Sequence, residues 1–303
     1  MGKYIVKRII LAILTIFIIS LITFFAMNAI PGGPFNSEKA KSPAVMEELE
    51  ARYGLDQPLI VQYKNYMVGV LHGDFGVSLK TDRPISDIIG ESVPISAKLG
   101  LLAALGAIVA GVVLGSIAAL MRNKWPDRII VFFVTLITSM PSFVIATLLL
   151  YFFCIKLGVV QAFNSGSNMV FLPVLSLSLS PMAYITRLTK TSMLDALGQD
   201  YIRTARAKGL SEPKVIVKHA LRNAMIPVIT VLGPTVANLL TGSFVVEKIF
   251  AVPGLGVHFV NSVSQRDYTT IMGVTIFYAT FLLAMVFIVD VFYCLIDPRI
   301  KYD

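Results

Sequence analysis

Charge is scarce in this sequence: Asp, Glu, Lys and Arg make up 15% of its 303 residues, against about 25% in soluble domains. Hydrophobic residues reach 56% and the mean hydropathy is +0.77, which excludes an ordinary soluble globular protein. Cysteine is limited to Cys154 and Cys294, both at the ends of long apolar runs, so a disulfide framework has no basis and the redox compartment stays undetermined. Histidine is limited to His72, His219 and His258, all in polar segments. No H-E-x-x-H or G-x-S-x-G pattern accompanies them, and no cluster has metal-ligand spacing, which removes the common metallopeptidase and triad chemistries. A phosphate loop of the G-x-x-x-x-G-K-[ST] type is also missing, so ATP-driven work needs another subunit. No catalytic residue, metal or cofactor is expected on this chain.

What is abundant is apolar length. A helix rises about 1.5 Å per residue and the hydrocarbon core is about 30 Å thick, so about 20 uncharged apolar residues span it. Six runs qualify: Ile9 to Ile30, Leu99 to Met121, Ile129 to Phe153, Met169 to Ile185, Ile226 to Val246 and Ile271 to Ile296. The fourth has 17 residues and carries Pro173 and Pro181, so it is expected to kink or to extend past Arg187. Its Leu-Ser alternation from Leu175 to Ser180 has strand period, but a lone strand leaves its backbone polar groups unpaired in lipid, and helix wins. The first run has 22 residues, against about 7 to 15 for a signal h-region, and no A-x-A site follows it. It reads as a retained anchor.

The net charge of +8 then becomes a topology signal. With the N-terminus inside, residues 1–8, 122–128, 186–225 and 297–303 hold 16 Lys and Arg, while the two short outside loops, 154–170 and 247–270, hold 3. The remaining 7 lie in residues 31–98, a segment too long to orient the chain. The expectation is an all-α integral membrane protein with six transmembrane helices, both termini inside, in place of a nucleic-acid binder. Residues 1–30 form an N-terminal tip and first helix, 31–98 a long external segment, 99–296 the core, and 297–303 a cytoplasmic tail.

The external segment has nine acids and a helix-like apolar pattern from Met46 to Leu71, broken at Gly54-Leu55-Asp56-Gln57-Pro58. Two short helices on the membrane face are expected, serving as a lid or as a docking surface for an external partner. The following His72-Gly73-Asp74-Phe75-Gly76 is a glycine-rich turn in which Asp74 can cap.

The inside loop 195–225 between the fourth and fifth helices is more distinctive. Asp200 can cap a short helix, Tyr201 to Lys208, which Gly209 can end in the left-handed conformation; Ser211 can cap a second helix with Pro213 in its first turn. Some thirty residues between two spans cannot build the support a DNA-reading motif uses, and a loop serving only charge needs no capped helices. A small face of Ala205 and Ala207 with a basic rim of Arg203, Arg206 and Lys208 suits docking into another protein's groove.

Within the spans Asp290 is the single ionisable acid or base. It lies six residues from the inner end of its run, where an inter-helix hydrogen bond or interfacial solvation can satisfy it; one acid alone makes no proton relay. In the fifth run Thr235 and Asn238 share a face at i and i+3. With Thr241, and with Pro141 and Ser142 in the third, they are candidates to line a polar path, although close packing accounts for small residues equally well.

These residues resemble a known family. Asp200-Tyr201-Ile202-Arg203-Thr204-Ala205-Arg206-Ala207-Lys208-Gly209-Leu210, followed by Lys218-His219-Ala220-Leu221-Arg222-Asn223-Ala224, resembles the EAA loop of binding-protein-dependent ABC importer permeases, in the version of the dipeptide, oligopeptide and nickel branch. Ile30-Pro31-Gly32-Gly33-Pro34-Phe35, Tyr53-Gly54-Leu55-Asp56-Gln57-Pro58, Gly73-Asp74-Phe75-Gly76, Val252-Pro253-Gly254-Leu255-Gly256, Arg266-Asp267-Tyr268 and Asp297-Pro298-Arg299 match in order. Pro31-Gly32-Gly33-Pro34-Phe35 and Pro94 to Gly100 look most like the oligopeptide permeases of the OppB/DppB type. The family-wide Glu-Ala-Ala falls on Arg203-Thr204-Ala205, and the later Leu-Pro on Leu221-Arg222, so no loop glutamate acts at 203.

The resemblance implies a multi-pass protein of the bacterial plasma membrane that imports oligopeptides. It implies partners: a homologous second permease of the OppC type, two ATPase subunits that bind ATP and magnesium, an external peptide-binding protein, and membrane lipid. It makes the loop a coupling helix, with Arg203, Ala205, Arg206, Lys208, Gly209 and Leu210 at the ATPase contact. Dipeptides, nickel or metal chelates are the alternative cargo within the branch, and an ion-coupled carrier is the alternative outside it.

Overall fold

A computed structural model describes residues 2–31, 33–35, 43–160, 170–240 and 243–296. Among them, regular structure is helical apart from one isolated bridge between Val77 and Pro84. In chain order the helices are α1 (Gly2–Asn28), α2 (Pro43–Arg52), α3 (Leu59–Leu71), α4 (Ile85–Leu120), α5 (Trp125–Ser139), α6 (Ser142–Leu149), α7 (Phe171–Leu197), α8 (Asp200–Ala207), α9 (Glu212–Lys214), α10 (Arg222–Leu240), α11 (Phe244–Ile249), α12 (Leu255–Gln265) and α13 (Tyr268–Ile296). π-helical turns, Leu150–Lys156 and Val215–Leu221, extend α6 and join α9 to α10.

Five of the described segments, those built on α1, α4, α7, α10 and α13, are long and apolar enough to cross a membrane, and α5 with α6 makes a sixth if that bent pair counts as one span. The pair turns through 108° at its break, so the third apolar run is not one straight helix. Pro141 causes the turn. It forces Met140 into extended backbone, φ −102° and ψ 134°, since the ring excludes the residue before it from the α region. The fourth run does extend, as α7, through Pro181 to Leu197 without ending. Two boundaries differ from the run-length expectation. α4 starts at Ile85 rather than Leu99, because Asp87, Glu91 and Lys98 interrupt an apolar count but not a helix. The run from Ile226 to Val246 divides into α10 and α11, the latter capped by Ser243, whose hydroxyl accepts the Val246 N–H at 3.4 Å.

The chain forms two compact units, with boundaries inside α4 and α13. One comprises residues 1–96 and 253–288. Its core packs Phe24, Met27, Tyr63, Tyr268 and Met272, and a buried hydrogen bond of 2.8 Å joins Ser20 and Tyr63. Asp267, 3% exposed, is a buried polar anchor of this unit. Its carboxylate accepts the Ser78 hydroxyl at 2.5 Å, the Leu79 N–H at 3.0 Å, and the Thr270 hydroxyl and N–H at 2.8 and 3.3 Å. This caps α13 and ties the loop after α3 to it. Arg266 before it takes the left-handed conformation, φ 58°, to end α12.

The other unit comprises residues 97–252 and 289–296. Here glycines let helices approach. A Cβ on Gly100 would lie 1.9 Å from the Leu239 carbonyl oxygen, and one on Gly115 would lie 2.5 Å from that of Thr186. α4 thus meets α10 and α7 backbone to backbone, as small residues allow in membrane helices. Asp127, 5% exposed, pairs with Lys190 at 2.5 Å and accepts the Asn123 N–H at 3.0 Å, joining the start of α5 to α7.

Candidate coupling site

The segment that links α7 to α10 is built by its own sequence. α7 ends at Leu197, and Gln199 takes extended backbone, φ −79° and ψ 152°, at the cap position of α8. Asp200, expected as that cap, is instead inside the first turn, where its negative charge suits the helix dipole and it meets Arg203 at 3.3 Å. At the other end Gly209 has φ +72°. The Gly209 N–H donates to the Arg206 carbonyl at 2.9 Å and the Leu210 N–H to that of Ala205 at 3.3 Å. That pair of bonds is a Schellman closure, with Leu210 and Ala205 in the same apolar cluster. Ser211 holds the cap position of α9 through its carbonyl, which accepts from Lys214 and Val215 at 2.9 and 3.0 Å, without a side-chain bond.

α8 has two faces of opposite use. Ile202 and Ala205, three residues apart on one face, are 0% and 5% exposed. They pack with Ala119, Met193, Ala196, Val215, Ala220 and Ala224. Ala205 therefore does not belong to an outward small face; it is the seat of α8 on its own chain, since only the apolar stripe of a charged helix is cheap to bury. Outward lie Tyr201, Arg203, Arg206, Ala207 and Lys208, all exposed, while Leu210 is half-buried. Arg206 reaches Glu212 through Nε at 2.7 Å and Nη2 at 3.2 Å. This hydrogen-bonded pair raises the guanidinium above its ordinary value, and it clamps the end of α8 to the start of α9. Sequence reasoning missed Glu212 as Arg206's partner, although a six-residue spacing across a Gly-Leu-Ser turn is a readable signal.

The candidate path residues are less gathered. Pro141 and Ser142 are exposed at the α5–α6 bend, and Asn238 is exposed on α10. The hydroxyl of Thr235, half-buried, donates back to the Val231 carbonyl at 2.7 Å. Thr241 lies outside the described residues, as does the side chain of Asp290 in α13.

Residues 111–302 match the family described as "Binding-protein-dependent transport system inner membrane component", and residues 1–100 match that family's N-terminal component. The chain belongs to this family. It is 50% identical over 304 residues to the dipeptide transport system permease protein DppB of Bacillus subtilis, covering 99% of this chain and 98% of that one. To the oligopeptide transport system permease protein OppB of Haemophilus influenzae it is 44% identical over 306 residues, with both chains fully covered. A crystal structure of an amino acid ABC transporter with histidines shares the fold, with TM-score 0.53 and 18% identity over 68% of this chain and 93% of that chain. The chain is thus a multi-pass permease component of the bacterial plasma membrane, of the OppB/DppB type.

Proposed function

We propose that this permease forms half of the membrane pathway of an ATP-driven importer of oligopeptides, with a homologous second permease, two ATPase subunits and an external peptide-binding protein. Both termini lie in the cytoplasm in this reading, supported by the Lys and Arg bias across the loops. The peptide cargo is supported by the similarity to named dipeptide and oligopeptide permeases. The observation that carries the coupling role is the two-faced α8. Its apolar stripe is locked to α7, α4 and the stretch leading into α10, while Arg203, Arg206 and Lys208 face outward.

Such a helix works as a lever. A push on the charged face passes to the spans that α8 rests on, because Ile202 is fully buried and interdigitates with residues of those spans. ATP-driven closure of the ATPase pair would move α8, and the spans would switch access from outside to inside. The energy comes from the differential affinity of nucleotide for the two states. Gly209 and Leu210 serve by closing the helix, and the path residues Pro141, Ser142, Thr235, Asn238 and Thr241 serve as lining.

The test is the composition and activity of the complex that co-purifies with this chain in mild detergent. Recovery of a second permease and two ATPase subunits, with Arg206→Glu lowering peptide-stimulated ATP hydrolysis but leaving all four membrane and ATPase subunits together, supports the reading. Transport by the chain alone in liposomes without ATP would replace it by a carrier.

A further inference from the structure

The unit of residues 1–96 and 253–288 contains a cavity of about 340 Å³ that the import scheme does not use, within the range of roughly 300 to 1,000 Å³ typical of ligand sites. Phe24, Leu55 and Met272 give it an apolar floor, and Arg52, Gln57 and Gln62 stand among its lining.

These polar groups have unspent capacity. Gln62 commits both amide hydrogens, to the carbonyls of Leu55 at 3.0 Å and Gln57 at 2.7 Å, which leaves its Oε1 as an acceptor. Gln57 receives the Asn65 amide on its oxygen at 3.2 Å, which leaves its Nε2 as a donor. Arg52 lies over the Tyr53 ring at 5.4 Å, and the nearest carboxylate oxygen among the described residues, on Asp82, is 3.7 Å away, beyond hydrogen-bond range. That same oxygen already accepts the Tyr53 hydroxyl. A five-donor guanidinium that hydrogen-bonds no carboxylate among the described residues, beside an apolar hollow fringed by amides, matches a carboxylate carried on an apolar residue.

We infer that this cavity binds the C-terminal end of a short peptide, with the carboxylate on Arg52, the last backbone amides on Gln57 and Gln62, and an apolar terminal side chain on the floor. The inference rests on the peptide-import reading and adds a holding site where the segment between α1 and α4 meets the ends of α1 and α13. It gives the extra-membrane segment a part in choosing cargo.

The test uses the purified importer complex in nanodiscs and the tripeptide Ala-Ala-photoleucine, whose diazirine side chain labels whatever it touches. The free acid is expected to label Phe24, Leu55 or Met272. Labelling should fall about tenfold for the C-terminal amide and for Arg52→Ala, the loss expected when charge-assisted hydrogen bonds are removed, and Arg52→Lys should restore part of it. Arg52 has 63% of its side chain exposed, so its truncation spares the fold, and the yield of complex checks this. Equal labelling by acid and amide overturns the inference. So does loss of the external binding protein from the Arg52→Ala complex with labelling unchanged, which would make the rim a protein contact. Uptake of the same tripeptide in cells with and without the chain separates the two readings. Chain-dependent uptake without cavity labelling removes only the cavity, whereas uptake independent of the chain removes the import reading itself.

Discussion

Asp267 and Asp200 are both carboxylates in the first turn of a helix or just before it, and they are used in opposite ways. Asp267 is buried and accepts four hydrogen bonds from its own unit, two of them from residues 78 and 79. Asp200 is exposed, and among the described residues its carboxylate meets Arg203, itself exposed. Burying a charge is tolerable only when every lone pair is matched, so the first is architecture. Exposed ion pairs contribute about 0 to 1 kcal/mol, so the second group, with Arg203, Arg206 and Lys208 around it, stabilises little and stays available to a partner.

The sharpest break of this comparison is Asp267→Ala. It strands the Ser78 and Thr270 hydroxyls and the Leu79 N–H, each costing about 1 to 3 kcal/mol when buried and unpaired. We expect a loss of several kcal/mol, read as failure to accumulate in the membrane or a large drop in melting temperature in detergent. Arg203→Ala, by contrast, should change the melting temperature by an amount near the noise while lowering peptide uptake. A stable Asp267→Ala protein would show that the network is dispensable.

Next in size is Lys190→Met. Asp127 has 7% of its side chain exposed and Lys190 22%, so removing the cation leaves a buried carboxylate with the Asn123 N–H but no ion-pair partner, at a cost of up to about 3 kcal/mol. Asp127→Asn added to it should recover part of that loss, and a double-mutant cycle measures the coupling. Smaller again is Ala205→Leu. Because Ala205 faces its own core, the added bulk overpacks α8 for about 1 to 3 kcal/mol. It should raise hydrogen exchange in residues 198–215 and uncouple ATP hydrolysis from uptake by tilting the lever. Retained coupling with a well-protected α8 would mean that the core beneath it is soft.

Much of the fold is legible in the sequence because membranes impose a simple count. Run length locates α1, α4, α7, α10 and α13, and Gly209-Leu210 signals the end of α8. The misses share a cause: apolar counting reads composition, whereas a helix is set by backbone bonds. Charged residues from Asp87 to Lys98 hide the first turns of α4, and Pro141 breaks a run that composition treats as continuous. Ala205 misleads because small residues suit both a partner's groove and a helix's own seat; only the neighbours Met193 and Val215, distant in sequence or across a turn, decide between them. The roles of Ser78 and Asp267 join residues 189 positions apart, a distance over which no local pattern carries information.

The smallest expected effect tests the same architecture through pH. His258, on α12, is half-buried, and burial together with the nearby Arg83 guanidinium lowers its pKa below the ordinary histidine value, with Glu91 opposing. The folded unit therefore binds fewer protons at this site than the unfolded chain, so stability rises with pH across the titration. The contribution is full above the unfolded value near 6.5 and is lost as pH falls through it and on through the lower folded value. The melting temperature of the wild-type protein should drop modestly between neutral and mildly acidic pH, and His258→Gln, which cannot charge, should flatten that drop. An equal drop in both proteins would assign the acid sensitivity to carboxylates and leave His258 as ordinary packing. If the slope instead grew on replacing Arg83 with Gln, the guanidinium would be stabilising rather than opposing the charged ring.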